Sequence, residues 1–172
     1  RARGVHIVEP ESGRLAGGDI GTGRLADVAS IVAAVERVLG PRDLEGTAVV
    51  VSAGGTREPI DAVRVIANRS SGKQGYAVAA EAASRGARVT PVSTVSLPGP
   101  AGVELVAVET AAEMQRAMVT AAADHDVIVM SAAVADFRPK GAADGKLKKR
   151  DGAPEIILEP TPDIHAGLGA AK

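Results

Sequence analysis

The sequence predicts an α/β domain: an open, mostly parallel, Rossmann-like sheet with helices on both faces. Three observations carry this. Apolar runs of strand length recur at Thr47–Ser52, Arg88–Val92 and Asp126–Ser131, with segments of helical character between them. That alternation has the spacing of βαβ units. Tyr76 and Phe137 are the only aromatic residues, so the core must be built from valine, isoleucine, leucine and alanine, which suits a buried parallel sheet. At 172 residues the chain accommodates one such domain with an appendage.

In chain order, a short strand is expected at Val5–Val8, followed by a glycine-rich loop over 9–26 that lacks apolar periodicity. Asp27 can cap a helix whose apolar face is Val28, Ile31, Val32, Val35, Val38 and Leu39, and Gly40-Pro41 ends it. Residues 1–40 then form one region, 41–46 a linker, and 47–172 the sheet domain. Within the latter, Thr47–Ser52 runs into Ala-Gly-Gly-Thr, and a helix follows the 68–75 turn as far as Ser84, closed by Gly86. Strands at Arg88–Val92 and 103–108 come next. Thr110 and Glu113 have capping-box spacing ahead of a helix to about Asp124. Asp126–Ser131 is read as a fourth buried strand, 135–155 as loop, and Ile156–Leu158 as a short strand. A helix from Pro162-Asp163 reaches Lys172 with no strand after it, so the chain is expected to be truncated, part of a longer protein.

Composition removes several function classes. The net charge is −1, without a basic field for nucleic acid. Without cysteine there is no disulfide, thiolate metal site or cysteine nucleophile, and the three histidines lack metal-ligand spacing. Two aromatics are too few for a base-stacking platform. No apolar run spans a membrane, and a cytoplasmic protein is expected.

Two glycine-rich stretches invite comparison with phosphate-binding loops. Gly21-Thr22-Gly23-Arg24-Leu25-Ala26 fits the dinucleotide pattern, but it does not directly follow a strand. Asn68-Arg-Ser-Ser-Gly-Lys-Gln-Gly75 is not a Walker loop, since Gln74 stands where Ser or Thr belongs. It nevertheless combines the hydroxyls of Ser70 and Ser71 with Gly72 and Gly75 at a helix N-terminus, where free N–H groups and the helix dipole favour an anion. An ordinary serine-capped helix is the plain alternative. Gly54-Gly55 and Ser131-Ala132-Ala133-Val134-Ala135-Asp136 leave two strands at the same expected sheet edge, where open α/β sheets bind ligands. Lys146-Leu-Lys-Lys-Arg150 is either a solvated charge run or a lid over the ligand.

Together, SAGGTREPIDAVRVIANRSSGKQG (52–75), SAAVADFRP (131–139), KLKK (146–149) and TPDI (161–164) resemble phosphopantothenoylcysteine synthetase over about 46–172. The resemblance implies a CTP-dependent phosphopantothenate–cysteine ligase of coenzyme A biosynthesis. The carboxylate of 4′-phosphopantothenate would be activated as an acyl-cytidylate, and L-cysteine would displace CMP. It implies Asn68, Lys146 and Arg64 as catalytic residues. Gly54, Gly55, Ser70, Gly72, Gly75, Ser131, Ala132, Asp136, Phe137, Lys146, Pro162, Asp163, Ile164 and His165 would surround the nucleotide. Mg²⁺ accompanies the triphosphate, no metal ligand is assigned, and a homodimer is expected, or a higher oligomer in a full-length fusion.

PESGRLAGGDIGTGR (10–24) is similar to the C-terminal clamp of phosphopantothenoylcysteine decarboxylase. Gly17 stands where that family has its cysteine acid, and FMN would belong to the missing decarboxylase part. Two rival readings are an NAD(P)-dependent oxidoreductase and a non-catalytic nucleotide-binding regulatory domain. Nucleotide competition separates the first, and pyrophosphate release the second.

Overall fold

The backbone of a run such as Ala48-Val-Val-Val-Ser-Ala53 can be buried only if neighbouring strands pair its N–H and C=O groups. The structure, a computed structural model describing residues 5–99 and 103–170, provides one on either side. The chain forms two compact units, Arg1–Asp43 and Leu44–Lys172.

In the first unit, β1 (Glu11–Arg14) and β2 (Ile20–Arg24) pair antiparallel. The turn between them is closed by Leu15 N–H donating to Asp19 C=O at 2.8 Å. This hairpin replaces the loop expected over 9–26. Its glycines hide the alternation that marks a strand, and hydroxyls of Ser12 and Thr22 meet across it at 3.1 Å. The strand expected at Val5–Val8 is absent: these residues have no ladder partner, and Val5 and Ile7 are exposed. Helix α1 (Val28–Leu39) forms as expected, its Ser30 N–H donating to Asp27 Oδ1 at 2.7 Å.

The second unit is built on a parallel four-stranded sheet of β3 (Ala48–Ala53), β6 (Arg88–Ser93), β7 (Val106–Ala107) and β8 (Val127–Met130). The order is β7-β6-β3-β8. Two small hairpins flank it: β4 (Arg57–Pro59) with β5 (Val65–Ala67), and β9 (Phe137–Pro139) with β10 (Leu158–Pro160). Helices α2 (Lys73–Ser84), α3 (Ala111–Ala122) and α4 (Ile164–Ala170) complete the unit.

Side chains of β3 alternate between two cores, as strand geometry requires. Val49 and Val51 pack with Ala79 and Ala82 of α2 and with Val89. Val50 packs with Val92, Met114 and Met118 of α3, and Ile164 and Leu168 of α4. Helices therefore cover both faces, and the expected fold class holds. Several bounds change. The strand expected over 103–108 shrinks to Val106–Ala107, because it pairs only with the end of β6. β8 is a half-exposed edge rather than a fully buried strand. The late strand moves to Leu158–Pro160, and β9 forms inside the expected loop, since each needs the other as partner. Helix α4 begins at Ile164, and Lys172 lies outside the described residues.

Buried polar groups lock the pieces together. Glu58, 2% exposed on β4, accepts from Ala111 N–H at 2.9 Å, placing a carboxylate at the N-terminus of α3. The capping box forms: Thr110 accepts from Glu113 N–H at 3.2 Å, while Glu113 Oε2 accepts from Thr110 N–H at 3.1 Å. Thr110→Ala should therefore lower unfolding stability by about 1 kcal/mol in urea denaturation. Gly75 of α2 is far less tolerant. A Cβ there would lie 2.6 Å from Ala53 Cβ and 2.8 Å from Ser52 O. Gly75→Ala should cost roughly 3 kcal/mol by the same measurement, because strand backbone cannot retreat.

Candidate functional site

In the order β7-β6-β3-β8, β3 leads by its following helix to one side and β8 joins it from the other. Open α/β sheets bind ligands at the carboxyl ends of the strands at such a switch point. The pairing persists just beyond the strands: Gly55 bridges Ala133, and Ala133 N–H donates to Gly54 C=O at 2.7 Å. Two hydroxyls brace this exit. Ser52 Oγ accepts from Ser131 N–H at 3.0 Å and Ala132 N–H at 3.1 Å. Thr56 Oγ1 accepts from Ala135 N–H at 2.9 Å. Ser52 was missed as a site-building residue; the available signal was a polar residue inside the otherwise apolar β3.

The expected 68–75 turn and the end of β8 meet here. Arg69–Gly75 and Ser131 line a cavity of about 240 Å³. Gly72 caps α2 at φ +74°, a left-handed conformation suited to glycine, and no side chain caps the helix. The serine-capped alternative is thus excluded: Ser70 Oγ accepts only from Gly72 N–H, at 3.4 Å. The first-turn N–H groups of α2 keep their capacity for an anion. Ser131 lines the same cavity, and its buried Oγ has no hydrogen-bond partner, an unusual state for a buried hydroxyl.

A second cavity of about 410 Å³ begins where β8 ends. Met130, Ala132, Val134, Ala135 and Asp136 form one wall, and Thr161–His165 the other. Thr161 ties the walls together, its N–H donating to Asp136 C=O at 2.9 Å and its hydroxyl to Ala135 C=O at 2.5 Å. Asp136 and His165 are exposed, Asp163 Oδ1 accepts from Ala166 N–H at 2.9 Å, and Ile164 also belongs to the core. Asn68 donates its amide to Val134 C=O at 3.1 Å, which leaves one amide hydrogen and Oδ1 for a ligand. Phe137, 53% exposed on β9, lines neither cavity.

Arg64 and Lys146 stand in a third cavity of about 770 Å³, with Lys148 and Lys149. Neither lines the first two. Arg64 is committed to Asp61, whose carboxyl its guanidinium holds far below the usual carboxylate range. Asp61 was missed because its partner Leu147 lies 86 residues away. The dinucleotide pattern at 21–26 begins in β2, a hairpin strand, and no phosphate-binding helix starts within it. That geometry removes the NAD(P) reading. Among the described residues no group of three His, Asp or Glu gathers for a metal, and no helix is long and apolar enough to cross a membrane.

Residues 44–172 match the model of the DNA/pantothenate metabolism flavoprotein C-terminal domain, the same residues that form the second compact unit. Over its whole length the chain is 49% identical to coenzyme A biosynthesis bifunctional protein CoaBC of Mycobacterium bovis, covering 43% of it. It is 43% identical to a cysteine/cysteine sulfinic acid decarboxylase of an unknown prokaryotic organism, again over the whole chain and 50% of that protein. A crystal structure of the CoaBC C-terminal domain superposes with TM-score 0.66 at 42% identity, over 75% of this chain and 61% of the other. The chain thus spans half or less of the length of these curated relatives.

These findings correct the expected CTP-dependent ligase. The matches are described by pantothenate metabolism, a flavoprotein, bifunctional coenzyme A biosynthesis and decarboxylation. The physical reason is general: a turn that receives phosphate at a helix N-terminus does not specify the bond made or broken beside it. Through residues 44–172 the chain belongs to the family of DNA/pantothenate metabolism flavoprotein C-terminal domains.

Proposed function

We propose that this chain is the substrate-holding part of an enzyme of coenzyme A biosynthesis, and that its crevice binds a phosphorylated pantothenate derivative such as 4′-phosphopantothenate. The observation that carries this is the cavity at the uncapped N-terminus of α2, whose wall includes Ser131 with its unpartnered hydroxyl. A phosphate bound there would satisfy the hydroxyl and the free N–H groups together. Ser70, Gly72 and Gly75 form its cradle, with Gly54 and Gly55 at the adjoining strand end. The organic part then extends along Ala132–Asp136 and Pro162–His165, with Asn68 behind that wall, bonded to Val134 C=O and lining neither cavity. Relatives named for coenzyme A biosynthesis support the choice of substrate class.

These walls offer no tyrosine or phenylalanine to stack on a flavin's three-ring system. Tyr76 is buried with its hydroxyl on Val95 C=O, and Phe137 lies outside both cavities. The family's flavin chemistry is therefore not assigned to these residues. Self-association is proposed on separate grounds: Val63, Val65, Phe137, Ile157 and Leu158 expose apolar side chains on and beside the two small hairpins. Light scattering of the purified full-length protein should give at least twice the monomer mass.

Calorimetric titration of the full-length protein should show 4′-phosphopantothenate binding at least tenfold more tightly than pantothenate. Ser131→Ala should weaken the phosphorylated ligand roughly tenfold, the value of one hydrogen bond to a charged group. Its unfolding stability should not fall, since that hydroxyl bonds nothing in the protein. Equal affinity for both ligands, or unchanged binding by Ser131→Ala, would reject this reading.

A further inference from the structure

Between β9 and β10 the chain makes a long excursion that carries Lys146, Lys148, Lys149 and Arg150. Its base is closed by Lys140 N–H donating to Ile157 C=O at 2.9 Å. A loop of this length without a regular core is commonly functional or disordered. Here it is docked on the turn between β4 and β5 at two points. Ala143 N–H donates to Ile60 C=O at 3.0 Å. The second point is more elaborate and centres on Asp61.

The Asp61 side chain is fully buried. Its Oδ1 accepts from the backbone N–H groups of Val63 at 2.9 Å and Arg64 at 2.8 Å, which shapes its own turn. Its Oδ2 accepts from Arg64 Nε at 2.9 Å, Arg64 Nη2 at 2.5 Å and Leu147 N–H at 3.0 Å. Arg64 Nη2 also donates to Leu147 C=O at 2.8 Å. The ion pair therefore holds both backbone polar groups of the one residue lying between Lys146 and Lys148. Those lysines, Lys149 and Arg64 line one cavity with Val63, Leu147 and Pro154. Like charges gathered this way repel, so a free loop would spread them into solvent.

We propose that Asp61 and Arg64 are positioning residues for the lysine segment, clipping Leu147 so that Lys146, Lys148 and Lys149 stand together on the cavity wall. The arrangement suits an anionic ligand, and the clip acts on the protein backbone rather than on the ligand. The inference is independent of the phosphate site proposed at α2, and its test uses no ligand. Lysine and arginine side chains make the segment its own reporter, because trypsin cleaves after them only when the backbone opens locally.

Limited trypsin digestion of the full-length protein, read by mass spectrometry, should show cleavage after Lys146, Lys148 and Lys149 rising roughly tenfold in Asp61→Asn, as expected for one lost charge-assisted bond. Arg64→Gln should do the same, and Arg64→Lys, which keeps the charge but not the fork, should fall between. The double variant Asp61→Asn/Arg64→Gln should be no more open than either single change, because both remove one clip. Cleavage after Arg116 in α3 serves as the internal reference. Changes below twofold in the segment would overturn the proposal. So would a rise at Arg116 in step with the segment, which would mean that the pair holds the whole fold.

Discussion

Helix α2 touches the sheet where Gly75 meets Ala53, a contact so close that no side-chain atom fits between them. Much of the site depends on it. Because the helix is pressed onto β3 at its first turn, its free N–H groups open at the strand's carboxyl end rather than in solvent. The same closeness brings Gly72 against the backbone of Gly54 and the side chain of Val95. A larger residue at any of these points would lift the helix away from the carboxyl ends of β3 and β8. Steric absence, rather than any attractive group, sets the geometry of the cradle.

Small hydroxyls then do what glycine cannot. Beyond its last ladder bonds β8 has N–H groups that need acceptors in a buried place, and Ser52 and Thr56 provide them from β3 and its exit. The backbone over 131–135 is thereby held without regular secondary structure, and Ser131 Oγ is left without a partner in the protein. A buried polar core beside a ligand crevice is in this sense a scaffold. It fixes irregular chain where a regular strand would close the opening.

What could be read in advance follows the range of the interactions. β3, β6, α2 and α3 were legible because their signals are local: continuous valines, an alanine-rich helix ending at Gly86, and a capping box at Thr110 and Glu113. The hairpins β4–β5 and β9–β10 were not, since each strand is three residues long and exists only through a partner. β1 and β2 were lost behind glycines that carry no alternation. In the candidate site, Ser70–Gly75 and Ser131 line one cavity, and Ala132 and Asp136 line another with Pro162–His165. Phe137 was not part of either wall, and Arg64 with Lys146 formed a separate one. The reaction itself was least legible, because a cradle for phosphate is shared by many chemistries.

The strand order has a consequence for how the chain acquires its shape. β3 lies at the middle of the sheet, yet Ala48 bonds to Asp126 across 78 residues of sequence. At synthesis rates of roughly 5–20 residues per second, β3 leaves the ribosome several seconds before β8 exists. During that interval one edge of a strand made of Ala-Val-Val-Val-Ser-Ala is unpaired. Non-local parallel pairing is slow to form and exposed to wrong partners until it does. The nascent domain is therefore vulnerable to aggregation at its own central strand, and it is released from that hazard only when β8 arrives.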